Sequence, residues 1–463
     1  MNDQTETLEK PEGEADDDYA LKNQVVNAAI DAAEAGDKAA LHEVLEPLHA
    51  ADIADLLEQV HDGDRSAILR LAGDYIDGEI LSEIDEDIRE EVIEELHPEV
   101  LAAAVQELES DDVVDLIEDL DEPQQEAILD VLDMVDRIAV EQALSYPEYS
   151  AGRLMQREVV IAPEHWTVGD TIDHLRAQTD LPDQFYHVIL VDPRHKPTDY
   201  VTLGRLMSSR REVALKDITE ESFRTFDVEE DEGDVAYAFN QYHLISAPVV
   251  DDEGRLVGVI TIDDAMVVLD EEHEEDVLRL GGVGDESLSN STLEIVKRRF
   301  PWLGVNLATA VLASIVISFF EDVLSAVVAL AVLMPIVASM GGNAGTQSMT
   351  VAVRALATRD LTGSNALRVI RREALAGTLN GMIFAVVMGV IGFVWFGEPM
   401  IGVVIAIAMV INLLAAGLSG VLIPLAMEKS GVDPALASGT FVTTVTDVVG
   451  FFAFLGLASV ILL

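Results

Sequence analysis

One carboxylate stands in the middle of a long apolar segment near the end of the chain. Asp447 is the only charged residue in the run Pro434 to Leu463. At the centre of a membrane helix an ionised Asp costs about 2.5–3.5 kcal/mol on insertion scales, and no apolar run of this chain contains a basic residue to neutralise it. Asp447 therefore either pairs with a buried hydroxyl or amide between helices or lies on an ion pathway. We favour the pathway.

Other polar residues at membrane depth could line the same pathway. Asn343, Gln347 and Thr443 offer amide and hydroxyl oxygens, which suit a hard cation. Asp433, directly before Pro434, has two interpretations: an N-cap with proline at the first helical position, or a carboxylate at the inner mouth of a pore.

A second group of candidate residues precedes the apolar half. Glu272, Glu275 and Asp276 would share one face of a helix, which predicts either a divalent-cation site or a solvated acidic surface. Thr261 and Asp264 form a T-x-x-D pattern that some nucleotide-binding proteins use for phosphate and ribose, a weak signal here. No cysteine, Walker A sequence or H-E-x-x-H zinc motif is present, so we expect no enzyme.

The elements that position these residues are membrane spans. Five apolar runs are long enough to cross a bilayer: Pro301 to Phe320, Val323 to Val353, Ala374 to Gly397, Pro399 to Met427 and Pro434 to Leu463. The second run contains Pro335 and Gly341, so we expect a kinked or interrupted helix there. Basic residues flank the runs on one side, which places the N-terminus in the cytoplasm and the C-terminus outside the cell.

The charge distribution restricts the partners of the soluble half. Almost all of the formal net charge of −57 belongs to the first 300 residues, which excludes nucleic acid as a partner. The dense negative charge of this soluble half requires counter-ions. These are either monovalent ions of salt at high concentration or divalent cations at particular sites. We favour adaptation to high salt for the bulk of the charge.

The soluble half divides into two patterns. Between Ala39 and Leu144, segments of about a dozen residues repeat with apolar residues at helical spacing, which predicts a superhelix of short helices. From about 150 to 270, VILVDP around Asp192 aligns with APVVDD around Asp251. These two copies of an α/β unit resemble a tandem CBS pair, but the first copy has Arg205 in place of the acid of T-x-x-D, so nucleotide binding is doubtful.

These patterns predict a multidomain protein with five parts. They are an acidic disordered tail (1–25), an all-α superhelical N domain (26–148), a tandem CBS pair (149–270), an acidic plug or linker helix (271–299) and a five-helix transmembrane domain (300–463).

The order of parts and three motifs resemble the MgtE family of magnesium transporters. The motifs are YPEYSAGRLM (146–155), PIVASMGGNAGTQ (335–347) and DPALASGTFVTTVTDVVG (433–450). The resemblance implies a Mg²⁺ channel in the plasma membrane and a homodimer whose pore lies between the subunits. Asp447 would hold hydrated Mg²⁺, and Asp264, Glu272, Glu275 and Asp276 would sense internal Mg²⁺ and close the pore.

One position departs from the family pattern. Family members commonly have proline after Ser438-Gly439, or an Asn-Pro pair, whereas this chain has Gly439-Thr440. The sequence therefore does not decide the backbone conformation of that pore segment. Two rival functions remain: transport of another cation such as Co²⁺ or Mn²⁺, or of Mg²⁺ outwards, by the same architecture; and a membrane receptor or enzyme whose CBS pair reads a nucleotide.

Overall fold

The computed structural model forms two compact units, Met1–Leu269 and Asp270–Leu463. It describes residues 21–463 except 119, 179–180, 183, 221–222 and 284–291. Residues 1–20 of the predicted acidic tail (1–25) lie outside the described residues. Residues 284–291 of the predicted linker (271–299) lie outside them as well.

The first unit begins with ten short helices in its described part. They are α1 (Asn23–Ala35), α2 (Lys38–Leu45), α3 (Ala50–Gln59), α4 (Asp62–Ala72), α5 (Gly78–Ser82), α6 (Glu86–Glu95), α7 (Pro98–Val105), α8 (Ser110–Glu118), α9 (Glu122–Leu129) and α10 (Met134–Ala143). Many of the acids serve as N-caps: the Asp37 side chain accepts hydrogen bonds from the amides of Ala39 and Ala40, and Asp121 forms a capping box with Gln124. Part of the acidic composition is therefore structural.

Two buried arginines join alternate helices of this superhelix, α4 to α6 and α6 to α8. Arg65 donates from Nε to the Leu57 carbonyl at 2.8 Å and contacts Glu91, whereas Arg89 donates to the carbonyl and the carboxylate of Asp115 at 2.7 and 2.9 Å. Each arginine reaches an acid 26 residues further along the chain, so the same contact recurs in successive repeats.

The remainder of the first unit contains two three-stranded sheets. Their strands are β1 (Ile161–Pro163), β2 (His187–Val191) and β3 (Pro197–Thr202), then β4 (Phe226–Asp227), β5 (Ser246–Val250) and β6 (Leu256–Thr261). The helices around them are α11 (Ala151–Leu154), α12 (Val168–Ala177), α13 (Leu203–Ser208) and α14 (Glu232–Tyr242).

The two sheets are copies of one pattern. In each, the first strand pairs in parallel with the second and the second antiparallel with the third. His187 pairs with Thr202 in one sheet and Ser246 with Thr261 in the other, and the His187 and Ser246 side chains contact each other across 59 residues of sequence. The predicted repeat of an α/β unit is confirmed.

A long helix, α15 (Ile262–Leu280), follows directly from β6 and ends in the second unit. The remaining helices are α16 (Thr292–Ser318), α17 (Glu321–Ala326), α18 (Ala329–Ala357), α19 (Ala366–Phe396), α20 (Pro399–Lys429) and α21 (Pro434–Ile461). Five helices of the described chain, α16 and α18 to α21, are long and apolar enough to cross a membrane.

The predicted interruption of the second run lies earlier than its sequence suggested. The break separates α17 from α18 at Val327 and Val328, where Val327 has the non-helical angles φ −131 and ψ 80. In contrast, α18 continues through Pro335 and Gly341. A proline inside a membrane helix removes one N–H but need not end the helix, because neighbouring groups can satisfy the freed carbonyl.

Helices α19 and α20 pack at close range through glycine. A Cβ atom on Gly377 would lie 2.5 Å from the Leu413 carbonyl oxygen, and one on Gly381 would lie 2.9 Å from Val410 Cα. The Gly377-x-x-x-Gly381 motif therefore brings two helices of the same chain together.

Candidate pore and cation-sensing residues

Asp447 lies in the middle of α21 and is half-buried in the single chain. It makes no hydrogen bond or ion pair with any residue of the described chain. The alternative in which a hydroxyl or amide of a neighbouring helix satisfies Asp447 is therefore not observed. A membrane carboxylate without a partner within the chain can bind a mobile cation.

Helix α18 packs closely against α21 in the turns that precede Asp447. A Cβ atom on Gly345 would lie 2.6 Å from Val442 Cγ1, and one on Gly342 would lie 3.9 Å from Thr443 Cγ2, so the glycines of α18 let α21 approach closely. Thr443 lies four residues before Asp447 and so on the same helical face. Its hydroxyl donates to the Gly439 carbonyl at 3.0 Å, which leaves the hydroxyl oxygen able to accept.

The other predicted pore-lining residues occupy two places. Asn343 and Gln347, one turn apart on α18, are both exposed in the single chain. Gly439 is half-buried in α21, and a Cβ atom there would lie 3.9 Å from Met349 Cε. The helix is regular through Gly439, so the departure from the family pattern at this position leaves the segment helical.

Asn412 on α20 is a buried polar residue whose neighbours the sequence did not indicate. It is 0% exposed, and its Nδ2 atom donates to the Val337 carbonyl of α18 at 2.8 Å. Its Oδ1 atom has no hydrogen-bond partner among the described residues. A Cβ atom added at Gly341 would lie 2.3 Å from Asn412 Nδ2, and one added at Gly450 would lie 2.8 Å from the same atom. The amide therefore lies between α18 and α21 and fixes their spacing.

Asp433 is the N-cap of α21, the first of its two interpretations from the sequence. Its carboxylate accepts from the Ala435 amide at 2.7 Å and from Arg279 Nη1 of α15 at 2.7 Å. Arg279 also contacts Glu275 one turn earlier. The sequence interpretation missed Arg279, which neutralises one of the acids expected to bind a cation and joins α15 to the start of α21.

The end of α15 is held by apolar contacts as well. Leu280 packs against a cluster of Met349, Val353, Ala435 and Val442. Of the other predicted acids of this helix, Glu272 is exposed and Asp276 is half-buried. Burial, and secondarily the nearby Asp433 carboxylate, raises the pKa of Asp276.

At the start of α15, Asp264 belongs to a dense acidic cluster. We define the α8–α15 acidic cluster as Glu109, Asp111, Asp112, Asp263 and Asp264. Thr261 Oγ1 donates to Asp264 Oδ2 at 2.9 Å and contacts Asp263, which orients both carboxylates.

The electrostatics of this cluster are repulsive. Burial, and then the Asp263 carboxylate, raises the pKa of Asp264 to about 7. Asp111 is 9% exposed, and burial together with the Asp264 carboxylate raises its pKa well above the ordinary value. The pKa of Glu109 rises to about 7, chiefly through burial and Glu158. Carboxylates held together without a cation favour proton or metal binding.

Polar contacts dock the acidic start of α8 onto the segment after α11. Ser110 donates to Glu158 at 2.8 Å and accepts from the Arg157 amide at 2.8 Å, and Arg153 pairs with Glu118 at 2.8 Å. In the described part of the chain, no group of three or more His, Asp or Glu residues is arranged so that it could hold a metal ion by itself. The cluster instead supplies carboxylate oxygens, the ligand type that Mg²⁺ prefers while it keeps several waters.

The T-x-x-D pattern differs between the two copies. In the second copy the Thr261 hydroxyl is engaged with Asp263 and Asp264, whereas in the first copy Arg205 pairs with Glu220 at 2.9 Å. The doubt about nucleotide binding to the CBS pair therefore stays a prediction.

Three family models match the chain. They are a divalent cation transporter domain over residues 334–457, the MgtE intracellular N domain over 48–149 and a CBS domain over 215–271. The fold and these matches define a multi-pass membrane transporter with a helical N domain and a CBS pair, and not an enzyme.

Curated relatives of this chain include three bacterial magnesium transporters. The magnesium transporter MgtE of Thermus thermophilus is 34% identical over 73% of this chain and 75% of its own length. The MgtE of Enterococcus faecalis is 33% identical over 69% of this chain and 71% of its own length. The MgtE of Bacillus subtilis is 30% identical over 72% of this chain and 74% of its own length. The chain belongs to the MgtE family of magnesium transporters, which confirms the predicted family and fold class.

Among solved structures, the cytosolic domain of the Mg²⁺ channel MgtE in complex with ATP is 29% identical. The match covers 52% of this chain and 99% of the chain in that structure, with a TM-score of 0.48. The soluble part of a magnesium transporter is 23% identical, covers 54% of this chain and 98% of its own, and gives a TM-score of 0.46.

Proposed function

We propose that this chain conducts Mg²⁺ into the cell down its electrochemical gradient, with Asp447 as the charged residue of the pore. The observation that carries the proposal is the half-buried Asp447 carboxylate in α21, which has no partner among the described residues. Mg²⁺ loses its waters reluctantly, so a carboxylate can hold the hydrated ion through its water shell. An inside-negative potential favours entry of a divalent cation by about 4.6 kcal/mol per 100 mV, so no further energy source is required.

The pore is proposed to lie between two copies of the chain, with the N-terminus in the cytoplasm and the C-terminus outside. In the single chain, only 6% of the α16 span is buried, and Asn343 and Gln347 of α18 are exposed. A second copy would cover these surfaces and bring two Asp447 side chains to one ion.

We further propose that internal Mg²⁺ closes the pore. Cations between the carboxylates of the α8–α15 acidic cluster would relieve their repulsion and hold α8 against the start of α15. The other end of α15 carries Arg279, Glu275 and Leu280, which contact the start of α21 and the adjacent apolar cluster. One helix therefore links the sensing acids to the pore helix, and closure follows by linkage.

The pore assignment is tested by Mg²⁺ uptake into proteoliposomes under an inside-negative potential. Asp447→Ala and the isosteric Asp447→Asn are expected to lose most of the uptake. Glu398→Gln, which removes the same charge at an exposed position between α19 and α20, should retain it. Uptake that survives both Asp447 substitutions would contradict the assignment. Uptake of Co²⁺ or Mn²⁺ in place of Mg²⁺ would keep the pore but change its substrate.

Gating is tested by single-channel currents at increasing internal Mg²⁺. Asp111→Ala with Asp264→Ala is expected to raise the Mg²⁺ concentration needed for closure at least about tenfold, equivalent to about 1.4 kcal/mol. Glu229→Gln with Asp252→Asn removes two exposed charges from the same CBS pair and should leave closure unchanged. Equal closure of both double variants and the wild type would refute the sensing role.

A further inference from the structure

A group of exposed arginines in the membrane unit has only one ion pair among the described residues. We define the arginine patch as Arg354, Arg368, Arg371 and Arg372, which are all exposed. Although the chain contains 85 acids and only 28 lysines and arginines, the first three of these arginines form no ion pair within the described residues. Arg372 pairs with the adjacent Glu373 at 3.4 Å. Three of the four arginines therefore have no ion-pair partner in the described part of the chain and can bind an added anion.

The position of the patch concentrates positive potential. Arg368, Arg371 and Arg372 lie in the first two turns of α19, which has no acid in its first turn. Unpaired N–H groups and the helix dipole already make this end of a helix positive. Arginines are disfavoured there unless an anion lies close to them.

A cavity of about 180 Å³ adjoins the patch, between α18, α19 and α20. Val351, Ala355, Leu361, Val369 and Val421 are among its apolar lining residues, and Arg372 of the patch also lines it. Val351 is 53% exposed, so the apolar wall continues onto the outer surface of the span.

Two carboxylates also line the cavity, and both are engaged. Glu373 accepts from the Ser348 hydroxyl at 3.1 Å and from Arg372, and Asp360 accepts from the Thr358 hydroxyl at 3.1 Å. The four arginines outnumber these two acids, so the net charge beside the apolar cavity is positive.

We propose that this recess binds an anionic phospholipid, with the phosphate at Arg368 and Arg371 and part of an acyl chain in the cavity. Basic pockets between membrane helices recognise anionic head groups in this way. The orientation rule for basic residues accounts for arginines beside a span but not for an apolar cavity next to them. An anionic phospholipid combines an anionic and an apolar part in one molecule.

The test uses the full chain in a neutral detergent, with thermal unfolding followed after addition of phosphatidylglycerol or phosphatidylcholine. The wild type is expected to gain several degrees more from phosphatidylglycerol. Arg368→Gln with Arg371→Gln should lose this difference, whereas Arg194→Gln with Arg210→Gln, at exposed arginines of the CBS pair, should keep it. Equal stabilisation by the two lipids, or a difference that survives Arg368→Gln with Arg371→Gln, would overturn the proposal.

Two further arms separate the head group from the acyl chain. Soluble glycerol phosphate at the same concentration should not stabilise the wild type; stabilisation equal to that by the lipid would show a free phosphate site and overturn the lipid assignment. Ala355→Phe, which fills the cavity and retains every arginine, should abolish the advantage of long-chain over short-chain phosphatidylglycerol. An advantage that survives would show that the acyl chain lies elsewhere.

Discussion

The side-chain amide of Asn412 donates to the backbone carbonyl of Val337 at 2.8 Å, across the interface of α20 and α18. The amide occupies the space that a side chain at Gly341 or Gly450 would need. Since Gly450 lies one turn after Asp447 on α21, this contact sets the distance between α18 and α21, the helix that carries Asp447.

The first prediction concerns the coupling of Asn412 with Gly341. Asn412→Ala is expected to cost about 1–2 kcal/mol through the lost interhelical hydrogen bond, and Gly341→Ala about 1–3 kcal/mol through overpacking. The double variant should cost clearly less than the sum, because the new methyl group then occupies the vacated space. Reversible unfolding in mixed micelles measures all three, and additive losses would show that the two residues do not share this space.

The sequence predicted those features that recur periodically. Apolar runs located the five spans because a bilayer imposes a length, and the spacing of 59 between the CBS copies exposed the repeat of strands. The role of Asn412 was out of reach, because its partners are a carbonyl and two glycines on other helices.

The acidic clusters show the same limit. Asp111 and Asp112 look like ordinary first-turn acids of α8, and only the tertiary contact with Asp264 makes them candidates for cation binding. Glu275 was expected to bind a cation, but its contact with Arg279 depends on how the end of α15 lies against Asp433. In a half so rich in acids, the functional carboxylates cannot be recognised by residue type.

The second prediction concerns Arg279, which pairs with both Glu275 and Asp433. These groups are about 30% exposed, so each pair is expected to contribute at most about 1 kcal/mol. Arg279→Gln should therefore raise the internal Mg²⁺ needed for closure about three- to tenfold, since α15 loses its polar contact with the start of α21. Single-channel recordings measure this shift.

Arg279→Lys is the matched control, because it keeps the charge but not the forked geometry. We expect it to shift closure by less than Arg279→Gln. An identical shift in both variants would indicate that the shape of the guanidinium, and not its charge, holds the helix.

The third prediction is a pH dependence of the first unit in the absence of divalent cations. The pKa values of Asp264 and Glu109 are raised to about 7 and that of Asp112 to about 6. In the unfolded chain these groups titrate near 4, so the folded state binds more protons between about pH 4 and 7. Stability is therefore greatest at the acidic end of that window and decreases as pH rises through it.

Trp166 can report on this unit if Trp302 and Trp395, the other two tryptophans, are replaced by Phe. Thermal unfolding followed by its fluorescence in EDTA should show a decrease in midpoint from pH 5 to 7.5, and Asp111→Asn with Asp264→Asn should flatten the profile. Adding Mg²⁺ at pH 7.5 should restore much of the lost stability. A profile as steep in the double variant as in the wild type would mean that other groups cause it.

The fourth prediction contrasts two arginines of α4. Arg65 is 3% exposed and holds the Leu57 carbonyl and Glu91, whereas Arg70 has a 62% exposed side chain and only a distant pair with Glu95 at 3.8 Å. Arg65→Ala is expected to destabilise the N domain by about 3–5 kcal/mol, because it leaves buried carbonyls and a carboxylate without their partner. Arg70→Ala should cost less than about 1 kcal/mol. Limited proteolysis of the full chain at increasing urea compares the two variants; similar losses would mean that the buried arginine does not join the repeats as its contacts indicate.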